Sequence, residues 1–154
     1  MIQKMLVPLD GSKLAEKALP YAEAFAQKFD AELILLWVLQ YPAVVPLDYG
    51  GVAVPPIDPM MAQAEQEANE YLSHLQDRCR QQNIPTRIVI LKSHAVADAI
   101  IDLASQEGVD VIVKTTHGRS GISRWIYGNV ATKVLQRAPC PVFLVRVSEA
   151  DQVD

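Results

Sequence analysis

Five short apolar runs, separated by helix-patterned stretches, set the strongest limit on what this chain can fold into. The runs are residues 5–9, 32–38, 86–91, 109–113 and 142–145. All five read as strands, and the second is too continuous for a strand with one wet face, so it reads as covered on both sides. Between the first two, Leu14, Ala15, Ala18, Leu19, Ala22, Phe25, Ala26 and Phe29 recur at helical spacing. Pro20 falls inside that pattern, so a kink is expected there. Residues 60–83 read as a long polar helix that forms a solvated face. Residues 96–106 read as a helix with Val96, Ala99, Ile100 and Leu103 on one side, closed by Gly108. Residues 123–137 read as a last helix. Residues 41–59 hold Pro42, Pro46, Pro55, Pro56, Pro59 and Gly50-Gly51, and are expected as a long loop without regular structure. Strands alternating with helices imply right-handed crossovers, hence an α/β protein with a parallel sheet between two helical layers.

The chain has 154 residues, half of them hydrophobic. That is enough for one full core without metals or disulfides. The net charge of −4 gives no basic face, which argues against a nucleic-acid partner. No apolar run approaches the ~20 residues of a membrane span, and the first residues lack a signal-peptide pattern. Cys79 and Cys140 have no CxxC partner, and no His/Cys cluster has zinc spacing. Two reduced thiols, no bound metal and a cytoplasmic location are the expectations.

In open parallel sheets, ligands bind beyond the carboxyl ends of the strands, where the strand order reverses. The loops after the first, second and fourth strands are therefore the candidate site. After the first strand comes Pro8-Leu9-Asp10-Gly11-Ser12, which carries neither the dinucleotide fingerprint nor the GxxxxGK[ST] phosphate loop. Asp10 has two readings: a turn residue bonding its own backbone, or a carboxylate that accepts from a ribose hydroxyl or helps hold a cation. Ser12 is a good N-cap. After the fourth strand comes Thr115-Thr116-His117-Gly118-Arg119-Ser120-Gly121, with Gly128-Asn129 following. Gly118 and Gly121 allow close backbone approach. Gly128 is costly inside a helix unless the helix begins near it. In that case its free N–H groups face the Gly118 loop and form a phosphate cradle. His117 and Asp10 as base and orienter is the weaker reading, since no nucleophile sits on a strained elbow. No residue is identified that would position a water, so at most slow ATP hydrolysis is expected. Leu91-Lys92-Ser93-His94 after the third strand excludes a phospho-receiver.

Residues 1–146 resemble a universal stress protein domain. The likeness rests on Val7-Pro8-Leu9-Asp10-Gly11-Ser12, Leu35-Leu36-Trp37-Val38, Thr116-His117-Gly118-Arg119-Ser120-Gly121 and Ala138-Pro139-Cys140-Pro141-Val142. It implies a three-layer α/β/α fold of the Rossmann-like, adenine nucleotide alpha hydrolase-like kind. Its five-stranded parallel sheet would run in the order 3-2-1-4-5, over a domain of residues 1–147 with an acidic tail at 148–154. It also implies binding of AMP, ADP or ATP, with Mg2+ as a companion of ATP. In the family's ATP-binding subgroup the loop reads G-x-x-G, nine residues, then G-[ST]. Here Gly118 and Gly128 match, whereas Thr115 stands at the first glycine and Asn129 at the final Ser/Thr. The resemblance implies that Asp10 faces the ribose, with Pro8 and Leu9 beside it, and that Val38 lines the adenine pocket. It places Gly118, Gly128, Asn129 and Val130 around the phosphates, and counts Lys114, Thr115, His117 and Arg119 among the nucleotide-binding residues without fixing what each touches. Lys114 is a charge on an apolar strand, open to two readings: an ion pair to phosphate, or crowding of the base. The altered motif leaves AMP as open as ADP or ATP. It also leaves a rival: an interaction module with a degenerate pocket. Homodimers through the last strand, which opens at Val142 and closes by Arg146, are implied under either reading.

Overall fold

A computed structural model describes residues 1–41, 45–46, 50–53, 57–116 and 129–147. In chain order the elements are β1 (Lys4–Leu9), α1 (Lys13–Glu16), α2 (Leu19–Phe29), β2 (Glu32–Gln40), β3 (Val45–Pro46), β4 (Val52–Ala53), α3 (Ile57–Gln81), β5 (Thr86–Ser93), α4 (Val96–Glu107), β6 (Val111–Thr115), α5 (Asn129–Arg137) and β7 (Val142–Val145). Five strands form one sheet in the order β5-β2-β1-β6-β7, and every pairing in it is parallel. Numbered by their sequence order, these strands run 3-2-1-4-5, as expected. The order reverses at β1, which lies between β2 and β6.

Side chains of a strand point alternately to opposite faces, and the two faces carry separate cores. Met5, Val7, Leu33, Leu35, Val111 and Val113 pack with Leu19, Ala22 and Leu72 from α2 and α3. Leu6, Ile34, Leu36 and Ile112 pack with Ile100, Leu103 and Val134 from α4 and α5. This double burial explains why the strands read as continuous apolar runs.

Four expectations need correction. The helix expected over 14–29 is not kinked but divided into α1 and α2. Pro20 sits in the first turn of α2, where a missing N–H costs no hydrogen bond. Residues 41–59 are not without structure: Val45 pairs with Ala53 and Pro46 with Val52, antiparallel, and α3 already begins at Ile57. The polar helix is not wholly solvated. Ala68, Leu72, Leu75 and Cys79 are buried, a narrow stripe at spacings of four, three and four. Finally, β6 lies two residues later than the run at 109–113. The Val109 N–H bonds the Ala104 carbonyl at 2.9 Å, beyond a left-handed Gly108 with φ 63°. Asp110 is turned to accept from the N–H groups of Gln3 and Lys4, at 2.7 and 2.9 Å. The strand therefore starts at Val111 and ends at Thr115, so Thr115 closes the strand rather than opening a loop, and Lys114 lies on the strand as read.

Candidate functional site

A cavity of about 610 Å³ opens at the carboxyl ends of β1, β2 and β6, over the switch in strand order. Its first wall is the turn between β1 and α1. Asp10 Oδ1 accepts from the Ser12 N–H at 2.9 Å and from the Ser12 hydroxyl at 2.6 Å. Ser12 Oγ in turn accepts from the Ala15 N–H at 3.1 Å and caps α1. The turn reading of Asp10 thus holds, and the same residue lines the cavity.

Gly11 makes the turn possible. Its φ is +77°, and a Cβ there would stand 2.5 Å from Cη2 of Trp37. Trp37 meets Tyr71 edge-on, with ring centroids 5.4 Å apart, and the Tyr71 hydroxyl donates to Glu16 at 2.6 Å. Burial, then the Glu16 carboxylate, pushes the Tyr71 phenol far above its usual range, so it is a donor at every ordinary pH. This chain of contacts ties α3, β2 and α1 together behind Asp10.

The second wall comes from β6. Lys114 lines the cavity and is only 9 % exposed. Burial pushes its ammonium below the usual range, while the Asp10 carboxylate pulls the other way. Thr116, just past the strand, also lines the cavity. It is held to β7 through its N–H, which bonds the Val145 carbonyl at 3.0 Å. Val38 supplies the end of β2, and Asn129 and Val130 supply α5.

Seven residues singled out from the sequence therefore meet at one cavity: Pro8, Leu9, Asp10, Val38, Lys114, Asn129 and Val130. Thr115 is buried but absent from the lining. It shares the parity of Val111 and Val113, so its side chain belongs to the opposite face of the sheet. His117, Gly118, Arg119 and Gly128, with the cradle expected around them, lie outside the described residues. The sequence reading missed Gln40 at the end of β2, Ala64 and Glu67 on α3, and Val96 and Ile100 on α4. The last two were legible only as core. Nothing local in the α3 pattern shows that this helix reaches the cavity. Among the described residues, no group of His, Cys, Asp or Glu is placed to hold a metal, and no helix is long and apolar enough to cross a membrane.

An open parallel sheet that reverses its order at a central strand, with a cleft over that point, defines a Rossmann-like α/β protein. The chain belongs to the universal stress protein family, whose sequence profile matches residues 1–146. It is 30% identical over 149 residues to universal stress protein YxiE of Bacillus subtilis, covering 95% of this chain and 100% of that one. The solved structure of MJ0577, a universal stress protein of Methanocaldococcus jannaschii, superposes with a TM-score of 0.80 at 22% identity, covering 97% of this chain and 99% of that one. A universal stress protein family member of Arabidopsis thaliana, solved with AMP bound, matches with a TM-score of 0.68 at 16% identity, covering 97% of this chain and 94% of that one. Further matches are universal stress proteins solved with cAMP, at a TM-score of 0.65, and with dAMP, at 0.62.

Proposed function

We propose that this chain binds an adenine nucleotide, AMP, ADP or ATP, and acts in the cytoplasm as a dimeric, nucleotide-responsive regulator of the stress response. The observation that carries this reading is the convergence of Asp10, Val38, Lys114, Asn129 and Val130 on one cavity at the switch point. Ligands of such sheets bind there. In this reading Asp10 accepts from the ribose and Val38 lines the base pocket. Pro8 and Leu9 floor the cleft. Asn129 and Val130, with His117, Gly118, Arg119 and Gly128, surround the phosphates, and Mg2+ accompanies ATP. The nucleotide complexes of the fold relatives support the same ligand class. In this reading the role is binding, with at most slow ATP hydrolysis. One observation favours the rival, a dimeric interaction module with a degenerate pocket: Asp10 Oδ1 is already engaged twice by Ser12.

Isothermal titration of nucleotide-stripped protein with AMP, ADP and ATP, with and without magnesium, tests the reading. Saturable binding that Gly118→Val abolishes is the expected result. No heat from any of the three at millimolar ligand leaves the interaction module standing instead.

A further inference from the structure

The cleft holds one charge that the fold itself does not ask for. On the face of the sheet that Lys114 shares by parity with Ile112, the neighbouring core positions are Leu6, Ile34 and Leu36, all apolar. A methionine or leucine would fill position 114 without the cost of desolvating an ammonium. Lys114 is also the one cation among the described lining residues, which include two acids, Asp10 and Glu67; the Asp10 carboxylate acts on it directly. Without it the charged side chains of the described lining would all be acidic. The pairing of Leu6 with Ile112, continued two residues along parallel strands, sets Lys114 level with Pro8. That is about 7 Å along the strand direction from Asp10, one strand over. The cation is thus seated beside the carboxylate assigned to the ribose.

We propose that Lys114 seats the phosphate attached to the ribose, so that the cleft selects a 5′-phosphorylated adenine nucleoside over the neutral nucleoside. This rests on the nucleotide reading of the cleft. One ammonium at this depth satisfies one phosphate, so a second and third phosphate gain nothing further from it. Lys114 is then a specificity-determining residue. It takes over charge recognition in a chain whose glycine motif carries Thr115 and Asn129 where glycine and serine or threonine stand in the family pattern.

The test is titration of adenosine, AMP and ATP into the wild-type chain and into Lys114→Met and Lys114→Gln, with melting curves as a check of folding. A hydrogen bond to a charged group predicts that wild type binds AMP at least about tenfold tighter than adenosine. Both variants should bring AMP to the adenosine level, lower ATP by the same factor, and leave adenosine where it was. Equal affinities for AMP and adenosine in wild type would overturn the proposal. So would an AMP-to-adenosine ratio unmoved in the variants, or loss of adenosine together with AMP. Failure of all three ligands to bind wild type is a separate result, which removes the nucleotide reading and this proposal with it.

Discussion

At the scale of single residues, two positions carry strain or cost that substitution should expose. Gly11 combines a left-handed backbone with close approach to the Trp37 ring. Alanine there meets both the unfavourable φ and the Trp37 ring, so either the turn or the ring must move. Gly11→Ala should lose roughly 1–3 kcal/mol of stability, read as a lower denaturation midpoint with an altered Trp fluorescence spectrum. The spacing Asp10-Gly11-Ser12 announced a turn, but the reason for its glycine lies in Trp37, 26 positions away. Lys114 gives a pH-dependent case. Its folded-state pKa lies below the ordinary 10.5 because of burial. Between those two values the unfolded chain binds more protons than the folded one, so the wild type gains stability as pH rises. The destabilisation is complete below the folded-state pKa and is relieved toward 10.5. Lys114→Met should therefore be more stable than wild type at neutral pH. Urea midpoints measured at rising pH should show that advantage shrinking. An advantage that stays constant would mean that Lys114 is not desolvated as described.

At the scale of elements, the continuous runs and helical periodicities were enough to place the five main strands and the helices between them. What they missed has physical causes. Pro20 was legible as an interruption, yet the same residue ends a helix interior or begins a helix, and only the turn at Lys17 and Ala18 shows which. The start of β6 was hidden because Val109 and Val111 are equally apolar, and the bonds of Asp110 to Gln3 and Lys4 that decide it come from a distant strand. In α3 the buried stripe is outnumbered by Gln and Glu, so composition masked its role. That role is substantial: Leu72 is fully buried in the core formed with α2, β1 and β2. Leu72→Ala should cost about 2–5 kcal/mol in chemical denaturation. Because Tyr71 and Glu67 ride on the same helix, it should also weaken AMP binding if the cleft is the nucleotide site. A loss under about 1 kcal/mol would mean that α3 packs more loosely than its burial indicates.

At the scale of the whole molecule, the layer architecture followed from the alternation of strands and helices, whereas the cavity did not. A cleft built from four helices and three strand ends has no local signature, and its α3 and α4 members reach it only through the crossovers. The two edges of the sheet also differ in a way that bears on assembly. At one edge, β5 carries Arg87, paired with Glu107 at 2.8 Å and with Glu32 at 3.5 Å, and Lys92, paired with Glu65. Charged edges resist pairing with another copy. At the other edge, β7 is Val142-Phe143-Leu144-Val145, with no charge along the strand. Phe143 packs on Phe25 and Tyr21, at ring distances of 4.9 and 5.7 Å, and Val142 packs partly buried against the opposite core, while Leu144 is likewise only partly buried. Of the two edges, β7 is the one that invites a partner strand, which supports the proposed homodimer. Val142→Lys sets a charge on that edge while its stem still covers apolar surface, so the variant should sediment as a monomer at concentrations where the wild type is a dimer. Val142 does not line the cavity, so AMP affinity should be the same in both. A wild type that is monomeric at every concentration removes the dimer, and a variant that still dimerises moves the interface away from β7. Loss of AMP binding in the monomeric variant would show instead that the cleft is completed by the second copy.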